Sequence, residues 1–393
     1  MASTYPRWTD DPEPNFVHAL SKRLAQTYEV HVLCPHAPGA LREETLEGVW
    51  VHRFRYAPNR LERLVQNGGI INNLKHHRWK WLLVPPFFIG LAWQTWRLNR
   101  RLRPVCLHAH WIVPQGLIAA CLVMVQRNPA PFLLTSHGGD LFSLRGRAFE
   151  WLKRVAIRRA SAITVVSQAM TDEAFRLGAA SGRVHVMPMG VDFDGLFAAG
   201  SPEQRQAGEI LFVGRLVEKK GLRYLIEAMP AIVARVPHAH LRIVGHGPEE
   251  PRLRDLAAQL CMAKHIEFVG SLPQTEIPRL YRQASVFVAP FIEAADGDRE
   301  GLGLVTVEAI ACGCPVIVGD MAVLDDILEE TEADLRINPK NIGTLAGRVA
   351  DILCDPMPAL ARTLEIRSRL EGRLSWKNIE NRYRSLLEML HKK

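Results

Sequence analysis

Two glutamates eight positions apart, Glu300 and Glu308, enclose the run Gly301-Leu302-Gly303-Leu304-Val305-Thr306-Val307. The glycines open a loop whose backbone N–H groups can approach an anion closely, and a helix starting there offers its positive end to a phosphate. Glu300 lies in that loop and Glu308 two turns along the helix, so both carboxylates can face one crevice. Each can accept hydrogen bonds from vicinal hydroxyls, which beside a phosphate cradle suits a nucleotide-sugar. Arg215 and Lys220 form a charged pair just past the strand-like run ending at Val213-Gly214 and just before Gly221. A planar guanidinium and a point-charge ammonium at a strand end suit oxyanions; on an ordinary βα turn they would be surface charge. His137 stands in Thr135-Ser136-His137-Gly138-Gly139-Asp140, at the end of another apolar run, where open α/β sheets bind ligands. His110 ends the apolar run before it and is a second strand-end candidate, while His108 reads as packing.

These side chains need a scaffold that brings strand ends together. Short β-branched runs alternate with helical stretches along the whole chain, the pattern of doubly wound parallel sheets. In the first half, strands are predicted at 29–34, 49–54, 105–109, 132–136, 162–166 and 184–187, with amphipathic helices at 16–25 and 149–160. The second half repeats the pattern with strands at 210–213, 241–244, 266–269, 286–289 and 316–318. Its helices are predicted at 222–233, 252–260, 305–311 and 342–353, and 376–390 reads as a final helix. The stretch 190–208, with Gly, Pro, Ser and Gln, links the halves. A length of 393 residues suffices for two domains, each with its own core.

The Glu300–Glu308 segment resembles the paired-glutamate motif of the retaining GT-B glycosyltransferases of the group 1 (family 4) class. Residues 213–221 resemble that family's diphosphate-binding Gly-Arg…Lys-Gly segment. Ile243-Val244-Gly245-His246-Gly247-Pro248, Phe268-Val269-Gly270 and Ala284-Ser285-Val286-Phe287-Val288-Ala289-Pro290 are similar to its later strand ends, in order. One glycine-rich piece would be weak; five in sequence over most of the chain are not. The resemblance implies an α/β GT-B fold of two Rossmann-like domains facing a central cleft. An acceptor-side domain would span 1–195, a nucleotide-sugar domain 196–375, and a helix over 376–393 would pack back on the first. Met189-Gly190-Val191-Asp192 is similar to the inter-domain joint.

The resemblance also assigns roles. Gly214, Arg215 and Lys220 would hold the donor diphosphate, and Glu308 the ribose hydroxyls. Glu300 would face the transferred sugar, while the amides of Gly301, Leu302 and Gly303 meet its hydroxyls or the phosphate. His137 would lie near the sugar and the reacting phosphate, with Asp140 and His110 on the acceptor side. The implied reaction moves a hexose-like group from a nucleoside diphosphate sugar to a hydroxyl, with retention and with no metal or other cofactor. A nucleotide-sugar epimerase on the same architecture, or a non-catalytic partner subunit, are the competing readings; the presence of Arg215, Lys220 and Glu308 together counts against the second.

Three features depart from the pattern. Family members open with an apolar strand ahead of a turn such as Ser3-Thr4-Tyr5-Pro6-Arg7-Trp8, yet here only Met1-Ala2 precede it. A sheet without its central strand leaves two neighbours unpaired, so either the true start lies upstream or the fold is repaired in another way. The turn at 10–15 lacks the family's Gly-Gly loop. Asp296-Gly297-Asp298 resembles the metal motif of the other glycosyltransferase fold, but no donor strand of that class surrounds it. A solvated or sugar-contacting loop without metal is expected there.

Charge is unevenly placed. Residues 1–195 hold 24 Lys+Arg against 14 Asp+Glu, a net +10, and the remainder 25 against 27, a net −2, which sums to the overall +8. A basic half points to an anionic partner. With no nucleic-acid module, a membrane surface fits better than nucleic acid. Residues 60–103 carry nine Lys/Arg and one acid, interleaved with Trp79, Trp81, Phe87, Phe88, Trp93 and Trp96. Their apolar run is interrupted by Pro85-Pro86 and is too short to span a bilayer, so it is expected either at a headgroup layer or as core-packed helices. Seven scattered cysteines and the absence of a signal peptide predict a cytoplasmic protein. The family resemblance implies a lipid-linked saccharide of cell-surface polysaccharide synthesis as acceptor, and the basic aromatic segment adds an expected peripheral contact at the inner face of the membrane.

Overall fold

The computed structural model describes residues 1–8, 11, 15–65, 69–143 and 146–392, without the side chains of 71, 72, 75 and 76. Most of the unusual turn at 10–15 lies outside the described residues. The chain divides into two compact units, Met1–Gly190 with Ile379–Lys393, and Val191–Asn378. Both crossings fall beside one another in unit 2, where Val191 N donates to Leu374 O (2.9 Å) and Trp376 N donates to Val191 O (3.2 Å). The last helix, Trp376–His391, therefore begins in the second unit and continues into the first.

Unit 1 carries strands β1 (His31–Pro35), β2 (Glu43–Leu46), β3 (Val49–Phe54), β4 (Leu107–His110), β5 (Phe132–Ser136), β6 (Ala162–Val165) and β7 (Val184–Val186). They form two groups, β1-β3-β2 and the parallel β4-β5-β6-β7. Between the groups lie the first two residues of the sequence. Ala2 N donates to Leu33 O (3.0 Å), His110 N donates to Met1 O (2.9 Å), and the Met1 ammonium donates to His108 O (2.7 Å). Two residues thus bond to β1 on one side and β4 on the other. β2 was not foreseen. Glu47 and Gly48 have φ of 49° and 85°, the left-handed pair of a tight hairpin, and fold β2 antiparallel onto β3.

The prolines expected to break the 81–93 run instead start a helix, Val84–Leu102, where they occupy its first positions. Proline lacks only an N–H that has no intrahelical partner there, and its fixed φ favours the helix. The inner face of that helix buries Phe87 and Leu91 against Leu33, Phe54 and Tyr56.

Unit 2 is built on a six-stranded parallel sheet of β8 (Glu209–Val213), β9 (His240–Val244), β10 (Ile266–Gly270), β11 (Val286–Ala289), β12 (Val316–Gly319) and β13 (Arg336–Ile337). The order is β10-β9-β8-β11-β12-β13. Strand order reverses between β8 and β11, the switch point where a doubly wound sheet opens a crevice at its carboxyl edge. The core beneath it packs Ile210, Phe212, Ile243 and Val288 against Leu225, Met229 and Val349. The short β13 escaped the sequence pattern because two residues give no period.

Candidate functional site

The loops that follow β8 and β11 meet at the switch point of unit 2. Gly221 has φ +66°, and a Cβ there would lie 1.8 Å from Pro290 O, so only glycine lets the two loops touch. Lys219 and Lys220, in the turn Glu218–Lys220, both reach across to the acidic loop before the helix Leu304–Ala311. Lys220 Nζ lies 2.8 Å from Glu300 Oε2 and 4.7 Å from the centroid of the Phe291 ring. Lys219 Nζ donates to Asp298 (3.2 Å) and to Arg299 O (3.0 Å), while Ile292 N donates to Lys219 O (3.0 Å).

In this loop, expected to be solvated or sugar-contacting, Asp298 is half-buried. It pairs with a buried lysine, and its own N–H donates to Asp296 Oδ1 (2.9 Å), closing the turn at Gly297. Sequence reasoning passed over Lys219, because one lysine of a doublet looks like any other. Lys220 is buried, whereas Arg215 is exposed.

Electrostatics separate the two glutamates. Burial alone would raise the pKa of Glu300, but Lys220, Lys219 and Arg215 overcome it and hold the carboxyl at about 2. Burial pulls Lys220 downward against the attraction of Glu300. We take the pair as ionised, because three cations surround one carboxylate. Glu308, one turn inside the helix, is raised to about 7 by burial, only partly offset by Gln274, Tyr281 and the charge of Lys220. Its contacts are long, 3.4 Å from Gln274 Nε2 and 3.4 Å from Tyr281 Oη. A buried carboxylate so loosely satisfied favours ligands that donate hydrogen bonds, as vicinal hydroxyls do.

Gly303 takes φ +76° and caps the helix Leu304–Ala311, leaving the first amides of that helix for an anion. Gly301 and Leu302 are buried in the loop before it, and Gly214 ends β8 next to the Lys220 side chain. Thr306, in the helix's first turn, has a buried Oγ1 without a hydrogen-bond partner, a group that no sequence motif singles out.

In unit 1 the carboxyl ends of β4 and β5 bring His110 and His137 together. His110 Nδ1 and His137 Nε2 are 3.0 Å apart, and the rings stack with centroids 5.3 Å apart at 12°. Phe16 and Trp111 flank His137, with centroids 4.8 and 5.0 Å away. His137 keeps some exposed surface, yet desolvation of its ring holds its pKa at about 3, so it is neutral at physiological pH. His108 is half-buried, its Nε2 2.7 Å from Thr135 Oγ1, and packs as expected.

Asp140 lies behind this cluster. One oxygen accepts from Ser136 Oγ (2.9 Å) and His137 N (3.0 Å), the other from Ile112 N (2.8 Å). Buried and bonded by both oxygens, its carboxylate ties the start of the His137 turn to β5 and Ile112. The loop beyond Asp140 is tied by buried Lys153, whose ammonium donates to Leu141 O (2.7 Å) and to Ser143 O. Trp111 carries φ +72°, a costly conformation for a bulky residue, held by Trp111 N donating to Thr135 O (2.8 Å).

Two Rossmann-like units, one with cations, two carboxylates and a helix amino end at its switch point, define a glycosyltransferase of GT-B fold. Family profiles agree across the chain: that described as "Glycosyl transferases group 1" matches residues 198–370 and "Glycosyltransferase Family 4" matches 14–194. The chain belongs to the group 1 glycosyltransferases. It is 30% identical to a GDP-mannose-dependent alpha-(1-6)-phosphatidylinositol monomannoside mannosyltransferase of Mycolicibacterium smegmatis, over 67% of this chain and 72% of that protein. It is 28% identical to glycogen synthase of Mycobacterium tuberculosis, over 74% of this chain and 70% of that one. Among solved structures, sucrose-phosphate synthase from Thermosynechococcus elongatus superposes with a TM-score of 0.78 at 20% identity, covering 95% of this chain and 92% of that chain. Anabaena HepE with UDP and glucose gives 0.72 at 17% identity, covering 97% of each chain. At such identities the structural likeness speaks for the fold.

Proposed function

We propose that this protein is a retaining, metal-independent glycosyltransferase. It moves a sugar from a nucleoside diphosphate sugar to a hydroxyl of a lipid-linked saccharide, in the synthesis of a cell-surface polysaccharide. The observation that carries the reading is the ion pair of buried Lys220 with half-buried Glu300 at the switch point of unit 2, with Arg215 exposed beside it and Glu308 buried behind. Glu308 accepts the ribose hydroxyls and Glu300 those of the sugar. As the bond from the anomeric carbon to the diphosphate oxygen breaks, negative charge grows on the diphosphate. Arg215, Lys220 and the amides at Gly303 oppose it where it forms. The acceptor oxygen then bonds to the anomeric carbon from the same face, and its proton passes to the departing phosphate oxygen.

A carboxylate held at about 2 is a weak base and a weak nucleophile, so Glu300 suits this front-face course better than a covalent intermediate. His137, neutral and hydrogen-bonded, can contact the sugar or phosphate without adding charge. A lipid-linked acceptor is supported by the M. smegmatis relative, whose name gives a phosphatidylinositol monomannoside as its substrate. Such an acceptor implies peripheral contact with an anionic membrane from the cytoplasmic side.

A nucleotide-release assay over a panel of nucleoside diphosphate sugars, in EDTA and with bacterial membranes as acceptor source, tests the reading. Release should require membranes, survive the chelator and fall roughly a hundredfold or more in Arg215→Ala. Release stopped by EDTA and restored by Mg²⁺ or Mn²⁺ would overturn metal independence. An epimerised donor with no acceptor present would favour the epimerase.

A further inference from the structure

We infer that the outer face of the helix Val84–Leu102, with the turn Arg78–Leu83 before it, is a docking surface for an anionic lipid bilayer. The helix has two apolar faces, and among the described residues only the inner one is covered by protein. Phe87, Leu91 and Thr95 are buried, while Ile89, Trp93 and Trp96 are 69, 58 and 38% exposed. Positions 89, 93, 96 and 100 recur at spacings of four, three and four, so they form one stripe. Trp93 and Trp96 lie 5.1 Å apart on it, and the Arg100 guanidinium sits 5.1 Å over the Trp96 ring. Just ahead, Trp79, Trp81 and Leu82 are also exposed, Leu82 at 78%. A soluble surface rarely gathers so many large apolar side chains without an occupant.

Charge selects the occupant. Arg97, Arg100, Arg101 and Arg103 are exposed along the same helix end. The single acid of residues 60–103, Glu62, is buried and paired with His36 (2.5 Å) and Arg55 (3.3 Å), so it cancels none of this surface charge. A second copy of the chain would bring like charge against like. Tryptophans with arginines beside them instead match the headgroup layer of an anionic membrane, where the rings sit at the polar boundary and the guanidinium groups meet phosphates. Among the described residues no helix is long and apolar enough to cross a membrane, so the helix lies on the surface. Its amino-terminal half packs beside the carboxyl end of β3, through Phe87 against Phe54 and Tyr56, each 5.1 Å away. That is the edge at which α/β sheets present ligands. The inference rests on the proposed function only in supplying a lipid-borne acceptor; adsorption itself needs neither donor nor transfer.

Co-sedimentation of the full chain with vesicles tests it, using phosphatidylglycerol/phosphatidylcholine mixtures against phosphatidylcholine alone, at low and high salt. Binding should require the anionic lipid, weaken with salt, and fall at least tenfold in Trp93→Ala/Trp96→Ala, with thermal unfolding unchanged. Should that variant melt early, Arg97→Gln/Arg100→Gln/Arg101→Gln gives the second arm. At roughly fivefold per arginine it should lose about a hundredfold. Absence of pelleting, equal pelleting with both lipids, or wild-type binding by both variants would overturn the inference. So would lipid-free self-association abolished by Trp93→Ala/Trp96→Ala. Vesicle binding without sugar transfer would leave the docking surface standing and sink the transferase reading; transfer without vesicle binding would do the reverse.

Discussion

Replacing Glu308 by Gln should stabilise the protein while removing its grip on the donor. The folded state keeps the Glu308 proton up to about pH 7, whereas an unfolded chain releases it near the ordinary value of 4.5. Between those values the native state binds more protons than the unfolded state, so stability falls as pH rises, and the penalty is complete above pH 7. The displacement from 4.5 to about 7 corresponds to about 3 kcal/mol. At pH 5 less than about 1 kcal/mol of this has developed. Glutamine carries no charge to desolvate; its carbonyl can still accept from Gln274 while its NH2 group donates to Tyr281 Oη. Glu308→Gln should therefore raise the melting midpoint at pH 8 by roughly 6–12 °C in a unit of this size. The gain should nearly vanish at pH 5. The same variant should lose most of the stabilisation that saturating donor nucleotide gives the wild type, since one carbonyl replaces a carboxylate that can hold two hydroxyls. Thermal denaturation at the two pH values, with and without nucleotide, measures both effects. A variant that melts below wild type at pH 8, or an offset identical at both pH values, would refute the reasoning.

Lys220→Ala should leave half-buried Glu300 without its nearest cation and destabilise by about 2 kcal/mol, below the full cost of a broken buried pair because Lys219 and Arg215 remain, and adding Glu300→Gln should recover most of it; wild-type melting of the single variant would show the pair to be unimportant for stability. Asp298→Asn should loosen the loop that carries Glu300 and cut kcat/KM about tenfold, about 1.4 kcal/mol, in EDTA and Mg²⁺ alike; an effect confined to metal-containing buffer would return the aspartate to a metal site. His108, His110 and His137 all have pKa values below the ordinary 6.5 through burial, His137 at about 3, so the unfolded chain binds more protons below pH 6.5. Stability should fall as pH drops from about 6.5 toward 3, and His137→Asn should shift the acid midpoint, followed by circular dichroism, to lower pH. An unmoved midpoint would mean that the ring is not buried in solution.

Most of the scaffold was legible because buried parallel strands read as short β-branched runs. β3, β5 and β11 fall on the expected residues, and the helix carrying Glu308 starts one residue earlier than expected. What escaped were elements whose signal lies in a contact or a turn. β2 depends on two left-handed residues at Glu47 and Gly48, and β13 on two residues beside β12. Pro85-Pro86 was legible as an interruption but not as a helix start, since both readings share the same residues and only the packing of Phe87 and Leu91 decides. At the site, residue types marked Arg215, Lys220, Glu300 and Glu308. They could not show which cation is buried, nor that Lys219 holds Asp298 and that Asp140 is bonded within the fold. Those facts depend on partners distant in sequence: 79 positions separate Lys219 from Asp298, and 28 separate Ile112 from Asp140. The tryptophans at 79, 81, 93 and 96 left core and surface readings open, and their exposure decides for surface.

The central claim, retaining transfer from a nucleoside diphosphate sugar without a metal, is tested most directly by ¹H NMR of the reaction in EDTA. An α-linked donor is followed together with the glycolipid acceptor extracted from membranes. The account predicts loss of the donor anomeric signal, appearance of free nucleoside diphosphate, and a product anomeric proton with the small coupling of an α linkage for a gluco-configured sugar. A β-linked product, conversion to the epimeric donor, or no turnover until Mg²⁺ or Mn²⁺ is added would contradict it.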